Sequence, residues 1–282
     1  MIVEANAKIN LCLDVIRRRT DGYHDLDMIM VPLELADQIE ITIAKKDSLS
    51  SDDSRMPLDG TNTIMKAIRE MRRVYGFTEG FHVHVQKKIP MEAGLAGGSS
   101  NAAAVIRGIN EILGLNRPLE ELLPIGKAVG ADVPFCIMNR AARVQGIGEQ
   151  VEPIQINLDF SILLVKPSVG VSTGKAYRTL DFDICEHPDC QKVEDALADS
   201  DFSKLCGSIG NTLEASAFVL APKVSELKQR ILQAGFEGVL MSGSGSTVFA
   251  ITRQKELLEK QAALLKQDYP FVCITEVKKA GD

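Results

Sequence analysis

Residues 4–16, EANAKINLCLDVI, alternate strictly along the chain. Ala5, Ala7, Ile9, Leu11 and Leu13 fall on one side of an extended backbone, and Asn6, Lys8, Asn10 and Cys12 fall on the other, because strand side chains repeat every two residues. The pattern predicts a strand with one polar face. RRRTDGYHDLD (17–27) then carries a turn signal, and MIMVPLELADQIEITIA (28–44) reads as one or two further strands. KKDSLSSDDSRMPLDG (45–60) is polar and turn-rich, a surface loop. From Asn62 to Tyr75 the apolar spacing becomes helical, and FHVHVQKKI (81–89) alternates again. Helical patterns follow over 100–115 and 119–130, with Ser or Asn available to cap the first of them.

Near residue 150 the pattern renews itself. FSILLVKP (160–167) is an apolar strand, residues 198–206 and 212–235 are helical, and GVLMSGSGSTVFAIT (238–252) reads as strand, glycine turn and strand. A last helix (254–267) precedes a last strand (271–277). Strands and helices mix irregularly rather than as regular βα units, which predicts an α+β protein. With 282 residues, two domains are expected, 1–150 and 151–282.

Composition narrows the function classes. A net charge of −6 argues against a nucleic-acid binder, which would carry a basic face. No apolar run is long enough to span a membrane, and MIVEANAKINL does not read as a signal peptide. Six scattered cysteines fit no secretory framework, so free thiols and a cytoplasmic location are expected. CEHPDC (185–190) resembles a zinc cluster too faintly to count, lacking a second pair at the usual spacing, and reads as a solvated loop; His82 and His84 read as an exposed strand face. No metal site of the protein's own is expected.

The chemistry-bearing stretch is PMEAGLAGGSSNAAA (90–104). Glycines let a backbone approach a ligand closely, and the helix that follows offers free N–H groups and the positive end of its dipole, which together form an anion site. It is neither a Walker A loop, since no lysine follows the glycines, nor a dinucleotide fingerprint. Residues 90–103 closely resemble the phosphate loop of the GHMP kinases, small-molecule kinases that include galactokinase, homoserine kinase and mevalonate kinase. Three further stretches resemble that family in the same order: AKINLCLDVIRRRTDGYHDLD, GADVPF (130–135) and MSGSGSTVFA (241–250).

The resemblance implies a two-domain fold, with a ribosomal S5 domain 2-like N-terminal half that binds ATP and a ferredoxin-like C-terminal half that binds substrate. It implies ATP with Mg2+, wrapped by Pro90, Met91, Glu92, Ala93, Gly94, Leu95, Ala96, Gly97, Gly98, Ser99, Ser100 and Asn101, with Asn62 and Lys87 near the adenine. Either Ser99 or Ser100 would touch the ion. Asp132 would be the catalytic carboxylate and Lys8 its cationic partner. Asn10, Tyr23, His24, Thr173, Tyr177, Gly243 and Gly245 would hold the substrate. The DGYH element and Tyr177 imply a cytosine-bearing acceptor, cytidine diphosphate methylerythritol of the non-mevalonate isoprenoid route. A kinase of homoserine or mevalonate type, or a non-catalytic nucleotide-binding relative, stands as the alternative. Homodimerisation is left open. Two departures stand out: Ala96 replaces a glycine common in the family, and Asn139-Arg140 replaces a Gly-Gly turn.

Overall fold

A computed structural model describes residues 1–279 and divides them into two compact units. The first comprises 1–7, 35–91 and 96–139; the second comprises 8–34, 92–95 and the chain from 140 onward. A single cut at residue 150 is therefore not the division that compactness makes. The cause is two long strands, β1 (Ile2–Arg18) and β2 (His24–Ala44), each of which passes from one unit into the other.

In the first unit, β3 (Ser48–Ser51) runs parallel to β4 (Gly80–Gln86), and β4 pairs antiparallel with Gln38–Ala44 of β2. The short β3 lies in the segment expected to be a loop. Its serines hydrogen-bond His82 and His84, which are half-buried rather than exposed. Four helices complete the unit: α1 (Thr63–Tyr75), α2 (Gly97–Ile112), α3 (Leu119–Val129) and α4 (Val133–Met138). Ile64, Ala67, Ile68 and Met71 of α1 are buried, as the 3.6-residue period requires.

In the second unit, β5 (Ala142–Gly146) pairs with Leu26–Met30 of β2 and with β6 (Gln150–Pro153). Further along come β7 (Ser161–Lys166), α5 (Thr173–Arg178), α6 (Cys190–Ala198), α7 (Phe202–Ser208) and β8 (Gly210–Asn211), which lies parallel to β1. Then follow α8 (Glu214–Leu220), α9 (Pro222–Gln233), β9 (Gly238–Met241), β10 (Val248–Thr252), α10 (Lys255–Leu265) and β11 (Phe271–Glu276). One antiparallel sheet has the order β11-β7-β10-β9. The strand–turn–strand reading of 238–252 is its β9-β10 hairpin. Pro222 divides what the sequence presents as one helix, because a proline has no N–H to continue the ladder.

The polar side of β1 is buried: Asn6, Lys8, Asn10 and Cys12 are each at most 4% exposed. Buried polar side chains must be satisfied by partners. One expectation needs correcting: not all six thiols are free. Cys12 is joined to Cys190 by a disulfide that closes 178 positions of chain, with the Cα atoms 5.5 Å apart. Such a pairing cannot be deduced from spacing. Cys136, Cys185, Cys206 and Cys273 remain free.

Candidate active site

The glycine loop departs from its expected start in an informative way. Helix α2 begins at Gly97, and its N-cap is Ala96, which has no side chain able to cap. Ser99 and Ser100 lie inside the helix. The first turn contains no acidic residue either. The helix therefore presents its leading N–H groups and its dipole without a side-chain cap, which favours an incoming anion. Ser100 is buried and donates to the Asn6 carbonyl, whereas Ser99 is half-buried. Thr63 Oγ1 donates to the Gly98 carbonyl at 2.7 Å and ties α1 to the loop. Asn62 caps α1: its Oδ1 accepts from Ile64 N at 2.9 Å and its amide donates to Pro57 O.

Ala96 sits at φ 56° and ψ 25°, in the left-handed region. Alanine is disfavoured there by about 1–2 kcal/mol relative to glycine. Glycine also gains freedom in the unfolded chain, which offsets part of the difference. Ala96→Gly is therefore expected to stabilise the protein by up to about 1 kcal/mol in urea unfolding. At the other departure the turn is kept. Asn139, at φ 49°, closes α4 in the left-handed conformation, and its amide donates to Asn6 Oδ1 at 2.9 Å.

The Lys87 side chain is 5% exposed; its ammonium pairs with the fully buried Asp37 carboxylate and lies 3.4 Å from Asn101 Oδ1. Asp132 stands at the N-terminus of α4 with αR backbone angles, half-buried, and its side chain makes no capping bond to the helix.

In the second unit, residues 92–95 of the glycine loop meet the third glycine motif backbone to backbone. Ser242 Oγ donates to Gly94 O at 3.0 Å and Thr247 N to Ala93 O at 3.3 Å. Lys8 N donates to Leu95 O at 3.2 Å, and Lys8 Nζ donates to Asn10 Oδ1 at 2.7 Å. Asn10 in turn points its amide at Met28 Sδ. A Cβ on Gly243 would stand 3.5 Å from Lys8 Nζ, so the motif's turn lies beside the lysine. Asn211 donates to the carbonyls of Met241 and Gly243, both at 2.8 Å, and Glu214 accepts from Met241 N. Thr173 shares a 2.8 Å hydrogen bond with Ser244. The structure thus brings together Lys8, Asn10, Gly94, Gly243, Gly245 and Thr173.

A second cluster forms around His24. Its ring lies 5.0 Å from that of Tyr177 and stacks at 6.3 Å on Phe182, a residue the sequence reading missed. Tyr23 is exposed, on a turn closed by Arg19 N to Tyr23 O at 2.8 Å. Burial first, and then the positive charge of Arg18, lower the His24 pKa below 6.5, so the imidazole is neutral at pH 7. Alternate positions of β1 serve this region in sequence. Below Lys8 and Asn10, Cys12 holds Cys190, and Asp14 accepts from His187 Nδ1 at 2.6 Å. The CEHPDC loop is therefore a tethered structural element, and no group of metal-ligating side chains occurs among the described residues.

An uncapped helix start after a glycine loop, an acidic residue heading a short helix, and a lysine beside a glycine turn are each compatible with a small-molecule kinase. Comparison with known proteins agrees. The family model described as GHMP kinases N terminal domain matches residues 62–140, and that for the GHMP kinases C terminal matches 193–270. The chain belongs to the GHMP kinase family. Within it, the chain is 42% identical over 267 residues to 4-diphosphocytidyl-2-C-methyl-D-erythritol kinase of Exiguobacterium sibiricum, covering 92% of each protein. It is 42% identical to the Brevibacillus brevis protein of the same name, covering 90% of this chain and 88% of that one. A crystal structure of 4-(cytidine 5'-diphospho)-2C-methyl-D-erythritol kinase superposes with a TM-score of 0.83 at 30% identity, covering 99% of this chain and 100% of the other.

Proposed function

We propose that this protein transfers the γ-phosphoryl group of ATP to the 2-hydroxyl of 4-diphosphocytidyl-2-C-methyl-D-erythritol, in the non-mevalonate route to isoprenoid precursors. The observation that carries the reading is the uncapped start of α2 within the glycine loop, in a chain that matches kinases of this name along nine-tenths of its length. The loop N–H groups hold the triphosphate. Asp132 accepts the proton of the attacking hydroxyl, and Lys8 stabilises negative charge on the transferring group. No covalent enzyme intermediate is required, and positioning supplies most of the rate.

Magnesium fits this loop as an ion carried by the nucleotide. Ser99 would contact it, since the Ser100 hydroxyl is committed to Asn6, and the ion would neutralise phosphate charge. His24, Tyr177 and Phe182 suit a cytosine ring, which they would stack on and read by hydrogen bonding. No described helix is long and apolar enough to cross a membrane. We assign the protein to the cytoplasm.

ADP release with 4-diphosphocytidyl-2-C-methyl-D-erythritol, homoserine and mevalonate in parallel tests the assignment. Turnover is expected with the cytidyl acceptor alone; turnover with another alcohol instead would move the protein to a different branch of the family. A pH dependence follows from His24. Its folded pKa lies below the unfolded value near 6.5, so the preference for a neutral ring is fully present above 6.5 and is lost as pH falls through the folded value. KM for the cytidyl acceptor should rise over that lower range, and NMR titration of His24 should give a midpoint below 6.5.

A further inference from the structure

One fully buried carboxylate in the first unit has no part in the mechanism above. Asp37 interrupts the apolar run of β2 and is 0% exposed. Its two oxygens do separate work. Oδ1 accepts from Lys88 N at 2.7 Å and Ile89 N at 2.8 Å, the two residues that lead into Pro90. Oδ2 accepts from Lys87 Nζ and from Asn101 Nδ2, the latter at 2.8 Å, in the second turn of α2. The phosphate loop spans 90–96, so a single side chain grips the chain immediately before it and the helix immediately after it. The Lys87 ammonium that Asp37 fixes lies beneath the helix start: a Cβ built on Gly97 would stand 3.3 Å from Lys87 Nζ.

We infer that Asp37 is the positioning residue of the phosphate loop, setting the separation and direction of its two ends and therefore the affinity for nucleotide. A carboxylate suits this task because it accepts hydrogen bonds on both oxygens at once, and charged acceptors form the stronger bonds. An ordinary structural acid would affect both substrates of the reaction alike. The side-chain hydrogen bonds of Asp37 go to elements that frame the loop, so its loss acts on ATP and not on the cytosine-bearing acceptor. The inference rests on the loop's being the ATP site, as proposed above.

The two oxygens allow a selective test. In Asp37→Asn the amide oxygen still accepts from Lys88 and Ile89, but its NH2 group faces two donors, Lys87 and Asn101. The exchange variant D37N/N101D restores complementarity: the amide introduced at position 37 donates to the carboxylate introduced at position 101, which also pairs with Lys87. The Kd for a non-hydrolysable ATP analogue, measured by calorimetry, is expected to rise about tenfold in Asp37→Asn. KM for the cytidyl acceptor should stay within about twofold, and the exchange should recover most of the lost affinity. Unchanged nucleotide affinity in Asp37→Asn overturns the inference, as does an equal rise in both constants. If Asp37→Asn does not fold, Asn101→Ala, which removes the tie from α2 together with the 3.4 Å contact to Lys87, is measured instead; an unaltered Kd for the analogue there overturns it too. Nucleotide binding is read without acceptor, so a failed kinase assignment would show separately, as wild-type protein that binds the analogue but does not turn over the cytidyl alcohol.

Discussion

Replacing Asp132 by Asn should lower kcat by about 10²–10⁴-fold, the range that a positioned proton acceptor contributes. The amide is isosteric and cannot take the proton of the attacking hydroxyl. Asp132 makes no capping bond to α4, so the helix does not depend on its charge for an N-cap. Elsewhere the segment is held by backbone and neighbours. Asn139 closes the helix in the left-handed conformation, and Arg107 donates to the Cys136 carbonyl at 2.6 Å. The variant should therefore fold, melt near the wild-type temperature and bind ATP with unchanged affinity. Activity is not expected to vanish, because in phosphoryl transfer positioning and charge stabilisation persist without the base. Steady-state kinetics with calorimetric nucleotide binding checks both halves. A kcat within about threefold of wild type, far short of what losing a proton acceptor costs, would remove Asp132 from the chemistry.

Gly94→Ala should be the most damaging small change in the loop. Gly94 adopts φ 72°, where an L side chain is strained. An added Cβ would overlap the Ser242 carbonyl oxygen and would stand 3.0 Å and 3.1 Å from the backbone O and N of Gly245. All three obstacles are main chain, in a turn already pinned by Asn211 and by the Ser242–Gly94 hydrogen bond, so none can rotate aside. The expected cost is about 3 kcal/mol, or a fall in Tm of roughly 6–12 °C. Activity should fall further than stability accounts for, because the displaced turn stands beside Lys8. Thermal unfolding and kcat measured at a temperature where the variant stays folded separate the two effects. Wild-type Tm and kcat together would refute the packing described for these glycine motifs.

The elements of long period were legible in the sequence. The helix over 63–75, the hairpin at 238–252 and the glycine loop all lie where their patterns put them. So does the left-handed turn at Asn139, because asparagine tolerates that conformation. What escaped was set by tertiary contact. β5 (ARVQG) and β6 (QVEP) are no shorter than β9 and β10, but they lack the apolar runs that mark those two strands. The start of α2 was placed too late because good capping residues stand at Ser99 and Asn101, whereas the fold places them inside the helix. Asp37 gave one signal, an acid within an apolar strand, and its partners lie 50–64 positions away. Phe182 lies in a polar stretch with no pattern of its own, and only its stacking on His24 identifies it. The Cys12–Cys190 bond joins residues 178 positions apart, which no local rule relates.

The central claim is transfer of a phosphoryl group to the cytidyl alcohol, and 31P NMR of the reaction mixture tests it most directly. With ATP, magnesium and 4-diphosphocytidyl-2-C-methyl-D-erythritol, the γ resonance of ATP should fall as ADP and one new phosphomonoester appear. The diphosphate linkage of the acceptor should stay intact. Appearance of inorganic phosphate without a phosphomonoester, or an unchanged spectrum from folded protein that binds ATP, would contradict the account.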